Sequence, residues 1–211
     1  DSVACNSRTI ISDKVSPYTI LQNLRLKNVD KIIIGHININ SIRNKIHLLS
    51  DMISGKVDIF LISESKRDDT FPKSQFLLEG YSEPFRLDRT ANGGGLLLYL
   101  RNDIPTKSLA LISENIECII LEVTISQKKW IIFGTYNPSK ALISKHLHIL
   151  EKSLCHYLSL YDNVIILGDL NSEIGEEAMD DFCSLYHLKS LIKVPTCFKS
   201  SERPSCIDLI L

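Results

Sequence analysis

The stretch VIILGDLN, residues 164–171, decides how the rest of the chain is interpreted. Its first four residues, Val164 to Leu167, are apolar and mostly β-branched, and a run of this length predicts a short buried strand. Gly168 lets the backbone leave the sheet, and Asp169 and Asn171 then point to the same side. A carboxylate beside a carboxamide can position a water molecule and a charged oxygen. An Asx turn at a strand end has the same pattern, so this stretch alone leaves both readings open.

The composition indicates one folded domain and no global attraction for nucleic acid. The chain has 211 residues, of which 44% are hydrophobic, and this is enough to bury a full core. Its formal charge is −1 at pH 7, so contact with nucleic acid requires a local basic patch. No run of about 18 apolar residues is present, and we expect no membrane association.

The six cysteines form no Cys-x-x-Cys pair and no tight framework. Reduced thiols in an intracellular protein are therefore the expected state. The alternative is a zinc site made of Cys183, His187, Cys197 and Cys206, although their spacing fits no common zinc motif.

The chain divides into a weakly patterned start and a strongly patterned remainder. Residues 1–30 contain Pro17 and are interpreted as a leader or linker without a folded element. Residues 31–211 are predicted to form the domain. Its first strand ends at Asn40, and Ser41 is predicted to cap a helix that ends at Gly55.

Further strands and helices alternate along residues 57–211. Strands are predicted at 57–63, 96–100, 116–125, 129–136, 164–167 and 206–211, and helices at 143–161 and 176–188. The pair 116–125 and 129–136 is a predicted hairpin, which excludes an all-parallel sheet. We therefore expect an α/β (α+β) fold in which two packed mixed sheets are flanked by helices, a four-layer sandwich.

Polar residues follow several of these strands, as a site between two sheets would require. They are Asn38, Asn40, Glu64, Tyr136, Asn137, Asp169 and Asn171. The set contains acids, amides and one phenol, and it shows no Ser-His-Asp or Cys-His arrangement. Such oxygen donors favour a hard divalent cation, Mg²⁺ with Mn²⁺ as the alternative, and this chemistry is typical of enzymes that act on phosphate esters.

Five motifs in this order resemble those of the endonuclease/exonuclease/phosphatase superfamily. They are Asn38-x-Asn40, Ser63-Glu-Ser-Lys66, Gly134-Thr-Tyr-Asn-Pro138, Gly168-Asp-Leu-Asn171 and Ile207-Asp-Leu-Ile210. Residues 35–43 (GHININSIR), Pro195-Thr-Cys-Phe198 and Pro204-Ser-Cys-Ile-Asp208 make the chain most similar to the apurinic-type endonuclease domain of non-LTR retrotransposons. The resemblance covers roughly residues 31–211.

The resemblance implies a role for each matching residue. The implied metal ligands are Glu64 and Asn40, with Lys66 in support. The implied catalytic residues are Asp169 (aligning or deprotonating water), Asn171 and Asn38 (orienting water and phosphate), Tyr136 (contacting phosphate) and Asp208 (orienting a catalytic histidine). Predicted substrate contacts are Lys66, Arg67, Arg86, Arg89 and Asn137, with Lys199 and Arg203 as further basic candidates.

The implied activity is Mg²⁺-dependent hydrolysis of a DNA phosphodiester that leaves a 3′-hydroxyl to prime reverse transcription. DNA is the implied partner, no small-molecule cofactor is expected, and a parent polyprotein would carry a reverse transcriptase and act in the nucleus. Two alternatives stay open. One is a superfamily phosphatase or phosphodiesterase acting on inositol lipids or sphingomyelin, and the other is an inert remnant that only binds nucleic acid.

One departure from the family pattern bears on activity. The family closes with a Ser-Asp-His tripeptide beyond the position of Asp208, whereas this sequence ends at Leu211. All six histidines precede Asp208, so none replaces the family histidine by position. The expectation is a domain that lacks its last strand or strands, in which Asp208 has no histidine to orient and activity is impaired.

Overall fold

The structure, a computed structural model, describes residues 16–90, 92–112, 115–198 and 204–211. Within these ranges the helices are α1 (Pro17–Lys27), α2 (Ile46–Ile53), α3 (Ile143–Leu158) and α4 (Glu177–Leu185). The strands are β1 (Ile34–Asn38), β2 (Ile59–Ser63), β3 (Phe85–Leu87), β4 (Leu96–Leu100), β5 (Thr106–Leu109), β6 (Glu117–Ile125), β7 (Lys128–Tyr136), β8 (Val164–Asp169) and β9 (Asp208–Ile210). Two candidate DNA contacts, Lys199 and Arg203, and residues 1–15 of the expected leader lie outside the described residues.

The strands form two mixed sheets, with the orders β1-β2-β4-β3 and β5-β6-β7-β8-β9. β1 pairs with β2 in parallel, and β7 pairs with β8 in parallel, each pair being joined through a helix on the outside. Parallel pairing places the carboxyl ends of the two partners at the same edge of their sheet. The predicted architecture of two mixed sheets flanked by helices is confirmed.

The two sheets pack face to face through aliphatic side chains. Leu61 of β2 and Leu98 of β4 lie in one buried cluster with Leu121 of β6 and Ile132 of β7. Gly134 is required at this interface because a Cβ there would lie 2.9 Å from the Cδ1 atom of Leu61. The close approach of the sheets therefore depends on the missing side chain of Gly134.

Helices cover the outer face of each sheet. Ile53 of α2 packs with Phe60 on the first sheet, and Leu150 and Leu154 of α3 pack with Phe133 on the second. Burial of each such side chain contributes about 1.5–3 kcal/mol to folding. No helix among the described residues has both the length and the apolar character needed to cross a membrane.

The segment between β1 and α2 differs from its prediction. Ser41 does not cap the helix, which starts at Ile46 after Lys45 without a side-chain cap. Instead the Ser41 amide donates to the Glu64 carbonyl oxygen at 2.8 Å, and Ser41 has a φ of +80°. This hydrogen bond joins the β1–α2 loop to the segment that follows β2. Ser41 occupies it instead of the predicted N-cap position of α2. Its effect is to fix the backbone of Glu64.

The assignment of residues 1–30 to a leader without a folded element is wrong for α1. Pro17 stands at the first turn, where its fixed φ is favourable, and the Ser16 hydroxyl accepts from the Thr19 amide at 3.2 Å. Ser16 followed by Pro17 is therefore the sequence signal for the start of α1. Arg25 of α1 forms an ion pair with the buried Asp58 carboxylate, which attaches α1 to the first sheet.

Candidate active site

The polar strand ends meet where the carboxyl ends of the two parallel strand pairs adjoin. The Asn38 carboxamide donates to Glu64 Oε1 at 2.9 Å and to Asp169 Oδ2 at 2.8 Å. The Tyr136 hydroxyl donates to Glu64 Oε1 at 3.0 Å. Residues from β1, β7 and β8 and from the loop after β2 therefore form one cluster, although Asn38 and Asp169 are 131 positions apart in sequence.

Glu64 is held as a carboxylate in this cluster. Burial alone would raise its pKa, but hydrogen bonds from Asn38 and Tyr136 and the Lys66 ammonium together lower the pKa below its usual value. Burial, and then the charge of Glu64, in turn raises the pKa of Tyr136, so the phenol stays protonated and can act as a donor. The cluster therefore contains an anionic oxygen ligand and a neutral hydroxyl donor.

The Lys66 ammonium shows where a cation is accommodated. Lys66 Nζ lies 3.4 Å from Glu64 Oε2 and also donates to Asn40 Oδ1. The two side chains that the sequence predicts as metal ligands thus already face one cationic centre. A carboxylate and an amide oxygen are the hard donors that Mg²⁺ prefers. These residues fit a divalent cation completed by water and substrate oxygens.

Asp169 differs from Glu64 because its carboxyl is almost fully buried, with 2% exposed. Burial raises its pKa above the usual value, and this outweighs the hydrogen bonds from Asn38 and the Asn171 amide. Asp208 raises the pKa of Asp169 further, while His36 lowers it. A carboxylate with a raised pKa is a stronger base than an exposed aspartate, which suits a proton acceptor.

Four of the ten non-glycine residues with a positive φ in the described part of the chain lie at this cluster. Asn40, Glu64, Lys66 and Asn171 all have positive φ values, between +45° and +53°. Non-glycine residues in this region cost of order 1–3 kcal/mol each and persist only where surrounding contacts enforce them. Such strain is typical of functional sites.

His36 and Asp208 correct one expectation. His36 Nδ1 lies 3.2 Å from Asp208 Oδ1, and His36 Nε2 lies 3.0 Å from the Ser63 hydroxyl. Asp208 is therefore in contact with a histidine after all. The order of residues in the sequence did not predict this contact, because His36 lies on β1 and Asp208 on β9. These strands belong to different sheets, which adjoin at this edge. Only the packing of the sheets reveals the pair.

Two of the predicted substrate contacts have other roles. Asn137 has no exposed surface and donates to the Ser139 and Leu170 carbonyl oxygens at 2.9 and 2.8 Å. Arg86 donates to Asp88 at 2.6 Å and to two backbone carbonyl oxygens. Both side chains are therefore engaged in contacts that hold loops together.

The remaining predicted contacts differ in accessibility. The Arg89 side chain is 45% exposed and pairs with Glu117 at 2.8 Å. Arg67 is buried and lies over the Phe71 ring. The carboxamide of Asn171 donates to the Asn137 carbonyl oxygen at 2.8 Å, which anchors the turn that follows Asp169.

A cavity of about 480 Å³ opens beside the cluster. Its lining combines Asn38, Glu64, Asp169 and Asp208 with Cys197, which was considered only as a zinc ligand, and with Thr196 and Phe198, for which no role was predicted. The Pro195-Thr-Cys-Phe198 motif supported the family resemblance, but it did not predict that these residues line the cleft. The cavity is therefore lined by polar side chains of the cluster and by the aromatic ring of Phe198.

No group of three or more His, Cys, Asp or Glu side chains that could hold a metal is found in the described part of the chain. The zinc alternative therefore has no assembled site there. The oxygen set at Glu64 contains one carboxylate and the Asn40 amide, so its donor count depends on water and substrate.

Comparison with known proteins places this geometry in a family. The family model described as "Endonuclease/Exonuclease/phosphatase family" matches residues 35–211. A search of curated proteins found no match.

Several solved structures share the fold at low sequence identity. The endonuclease domain of TRAS1, a telomere-specific non-LTR retrotransposon, has 13% identity, a TM-score of 0.62 and coverage of 85% of this chain and 84% of that one. The human Nocturnin catalytic domain has 19% identity, a TM-score of 0.63 and coverage of 85% and 80%. The Neisseria 3′ phosphatase NExo bound to a product DNA hairpin has 14% identity, a TM-score of 0.61 and coverage of 85% and 86%.

The family match covers most of the chain. Members of this family are hydrolases that act on phosphodiesters or phosphate esters, and the nucleases among them generally use divalent metals. This protein therefore belongs to the endonuclease/exonuclease/phosphatase family.

Proposed function

We propose that this protein is a Mg²⁺-dependent DNA endonuclease of the non-LTR retrotransposon type, with Mn²⁺ as an alternative metal. The observation that carries the proposal is the Asn38 carboxamide, which bridges Glu64 and Asp169 at 2.9 and 2.8 Å. One amide thus holds a metal-binding carboxylate and a buried base on either side of a single cleft. Similarity to the TRAS1 endonuclease domain supports the retrotransposon assignment.

In the proposed reaction Glu64 and Asn40 would hold the cation, which would supply stabilisation of negative charge on the phosphate oxygens. Asp169 accepts the proton of the attacking water, and its raised pKa favours this transfer. The Tyr136 hydroxyl, which donates to Glu64 Oε1 in this structure, turns its proton towards the phosphate. Water attacks phosphorus opposite O3′, the P–O3′ bond breaks, and O3′ takes up a proton from solvent, to which Asp169 releases the proton that it accepted. The products are a 5′-phosphate and the 3′-hydroxyl that would prime reverse transcription by an enzyme of the same polyprotein, in the nucleus.

The direct test is nicking of supercoiled plasmid in Mg²⁺ by the wild type, Glu64→Gln and Asp169→Asn. We expect each variant to lose at least about 100-fold in rate, because each removes a group on which the reaction depends. Glu79→Gln is the matched control, since Glu79 is an exposed glutamate outside the cleft. Wild-type nicking no faster than that of Glu64→Gln would contradict the proposal.

The same preparations separate the alternatives on inositol lipids or sphingomyelin. Phosphate release from a phosphoinositide or hydrolysis of sphingomyelin vesicles, abolished by Asp169→Asn and unaccompanied by plasmid nicking, would replace the endonuclease assignment. Binding of DNA without any hydrolysis would support an inert remnant instead.

A further inference from the structure

A second cavity, of about 390 Å³, adjoins Tyr136 and shares no residue with the cleft at Glu64. Its lining comes from the ends of β3 and β7, the start of β6 and the first half of α3. A cavity of this size is within the range that holds a small ligand, about 300–1,000 Å³. Most of its wall is apolar and consists of Leu87, Ile116, Pro138, Leu142 and Ile149.

His146 is a buried histidine of this wall, 3% exposed, and takes no part in the cluster at Glu64. The Thr135 hydroxyl donates its only proton to the Glu117 carbonyl oxygen at 2.8 Å. His146 Nε2 lies 2.9 Å from the same hydroxyl oxygen, so Nε2 must carry the ring proton and donate to Thr135. Burial lowers the pKa of His146 to about 4, so the ring is neutral at pH 7. Nδ1 is therefore a hydrogen-bond acceptor.

Two residues of the lining each keep an acceptor atom without a donor in the described part of the chain. Nδ1 of His146 receives no hydrogen bond there, because the only bond of this ring is the one through Nε2. Oδ1 of Asn137 is buried and also has no partner, while its carboxamide nitrogen donates to the Ser139 and Leu170 carbonyl oxygens. Buried acceptors of this kind are normally satisfied. A ligand that occupies this cavity should therefore have N–H donors on an otherwise apolar body.

The charged residues of the lining leave one positive charge unbalanced. Asp88 pairs with Arg86 at 2.6 Å, and Glu117 pairs with Arg89 at 2.8 Å. Lys145 is exposed and forms no ion pair within the described ranges. The ammonium of Lys145 is therefore available to an anionic group of a ligand.

We propose that this cavity binds one nucleotide, with an amino-substituted nucleobase against His146 and the phosphate at Lys145. A nucleobase has flat faces that pack on aliphatic side chains, and its exocyclic amino group is a donor for Nδ1. A fatty acid or an aromatic carboxylate has an apolar body and a negative charge but no donor on that body. The nucleotide is either part of a DNA strand, which rests on the proposed function, or a free mononucleotide, which does not.

The first experiment tests the contact with His146 by changing the ligand and the protein together. Calorimetric titration in EDTA compares deoxyadenosine monophosphate with purine deoxyriboside monophosphate, which lacks the amino group. We expect the wild type to bind the first about 5-fold more tightly, the value of one neutral hydrogen bond. In His146→Phe, which keeps a ring but removes the acceptor, the two affinities should be equal. Equal affinities in the wild type would overturn the inference without any variant.

Two variants at the surface locate the nucleotide in this cavity. Leu142→Trp fills the cavity and should raise the Kd of deoxyadenosine monophosphate at least about 10-fold. Leu142 is 45% exposed, so the variant stays folded. Leu158→Trp is the matched control, because Leu158 is the last residue of α3 and is outside the lining. Lys145→Gln should raise the Kd about 3-fold through loss of an exposed charge contact.

Lys128→Gln is the matched control for loss of one positive charge. Lys128 starts β7 at the end of that strand opposite Tyr136 and is exposed, so nucleotide binding should be unchanged. Nucleotide binding that is lost in Lys66→Ala but retained in Leu142→Trp would place the nucleotide in the cleft and overturn the inference. Equal affinity in all variants would overturn it as well.

The second experiment separates a DNA base from a free nucleotide. Binding of a single-stranded oligodeoxyadenosine is measured in EDTA, and we expect Leu142→Trp to raise its Kd about 10-fold. Unchanged oligonucleotide affinity alongside weakened mononucleotide binding would assign the cavity to a free nucleotide and overturn the DNA source. These readouts need no cleavage, so a wild type that fails to nick plasmid refutes the proposed function without deciding the nucleotide site.

Discussion

Asp169 shows how burial makes a single carboxylate more basic at a cost in stability. Its raised pKa means that the folded protein binds the proton of Asp169 more tightly than the unfolded chain does. This linkage stabilises the fold at acidic pH, and the benefit is lost as the pH rises through the raised pKa. At neutral pH the ionised carboxylate therefore destabilises the protein.

Asp169→Asn should consequently separate stability from activity. We expect the variant to be more stable than the wild type at pH 7.5, and the difference to shrink as the pH falls towards about 4. Nicking should fall by at least about 100-fold at the same time. Urea unfolding at several pH values in EDTA measures the first effect. A variant less stable than the wild type at pH 7.5 would show that the ionised carboxylate is not destabilising.

His36 and Asp208 act on Asp169 with opposite signs. His36 lowers the pKa of Asp169 and Asp208 raises it. Since the proposed mechanism requires ionised Asp169, His36→Gln should move the acidic limb of the kcat/KM profile to higher pH, whereas Asp208→Asn should move it to lower pH. His148→Gln is the control, because His148 is an exposed histidine of α3. Shifts of both variants in the same direction would contradict this account.

Gly168 shows how one element depends on a missing side chain. Its φ is +147°, and a Cβ at this position would lie 1.8 Å from the Thr135 carbonyl oxygen. Gly168→Ala should therefore lose more than about 4 kcal/mol of unfolding free energy, the range of a severe backbone clash. Gly175→Ala is the matched control, since Gly175 also has a positive φ, +100°, but a Cβ there would meet nothing within 4 Å.

The control should lose only the backbone strain, about 1–3 kcal/mol. Urea unfolding of both variants measures the difference directly. Equal losses would show that β8 can move away from the Thr135 carbonyl oxygen to make room for the added Cβ. Glycine would then be required at 168 only by its positive φ.

Elements that carry their own pattern could be predicted from the sequence. The β-branched runs predicted β1, β2 and β8 together with the polar residues at their ends. β3 and β5 could not be predicted, because they have three and four residues and are held by pairing with β4 and β6. Their formation depends on neighbours that sequence periodicity does not reveal.

Helix faces were predictable only in part. The spacing of Ala178, Phe182 and Leu185 predicts that Leu185 faces inward from α4, but Leu185 is 63% exposed, and Met179 is buried with Phe182 instead. Met179, Phe182 and Tyr186 are spaced by the helical period and pack on the second sheet. Leu185 lies at the last position of α4, outside this packed face.

For the site, the sequence predicted the cluster of Asn38, Glu64, Tyr136 and Asp169 because each residue follows a strand. It did not predict the contact between His36 and Asp208, or the internal roles of Arg86 and Asn137. Those depend on how the two sheets and the loops pack, which is a property of the whole fold.

At the scale of the molecule, charge decides how the proposed DNA substrate would be bound. The formal net charge of −1 provides no general attraction, so binding must come from local groups such as Lys66, Arg67 and Arg89, of which only Arg89 is substantially exposed. Contacts of this kind release counterions from the DNA, and the logarithm of the binding constant falls with that of salt concentration at a slope of about −0.9 per phosphate neutralised.

With about four phosphate contacts, affinity for a non-specific duplex should therefore fall by about 100-fold between 50 and 200 mM salt. Arg89→Gln should make the slope less steep by about one contact, because Arg89 is exposed at the rim beside Tyr136 and binding DNA there would displace its pairing with Glu117. Lys128→Gln should leave the slope unchanged. Fluorescence anisotropy in EDTA across this salt range provides the measurement. A binding constant insensitive to salt would exclude phosphate contacts as the source of affinity, and an unchanged slope in Arg89→Gln would place the DNA path away from Tyr136.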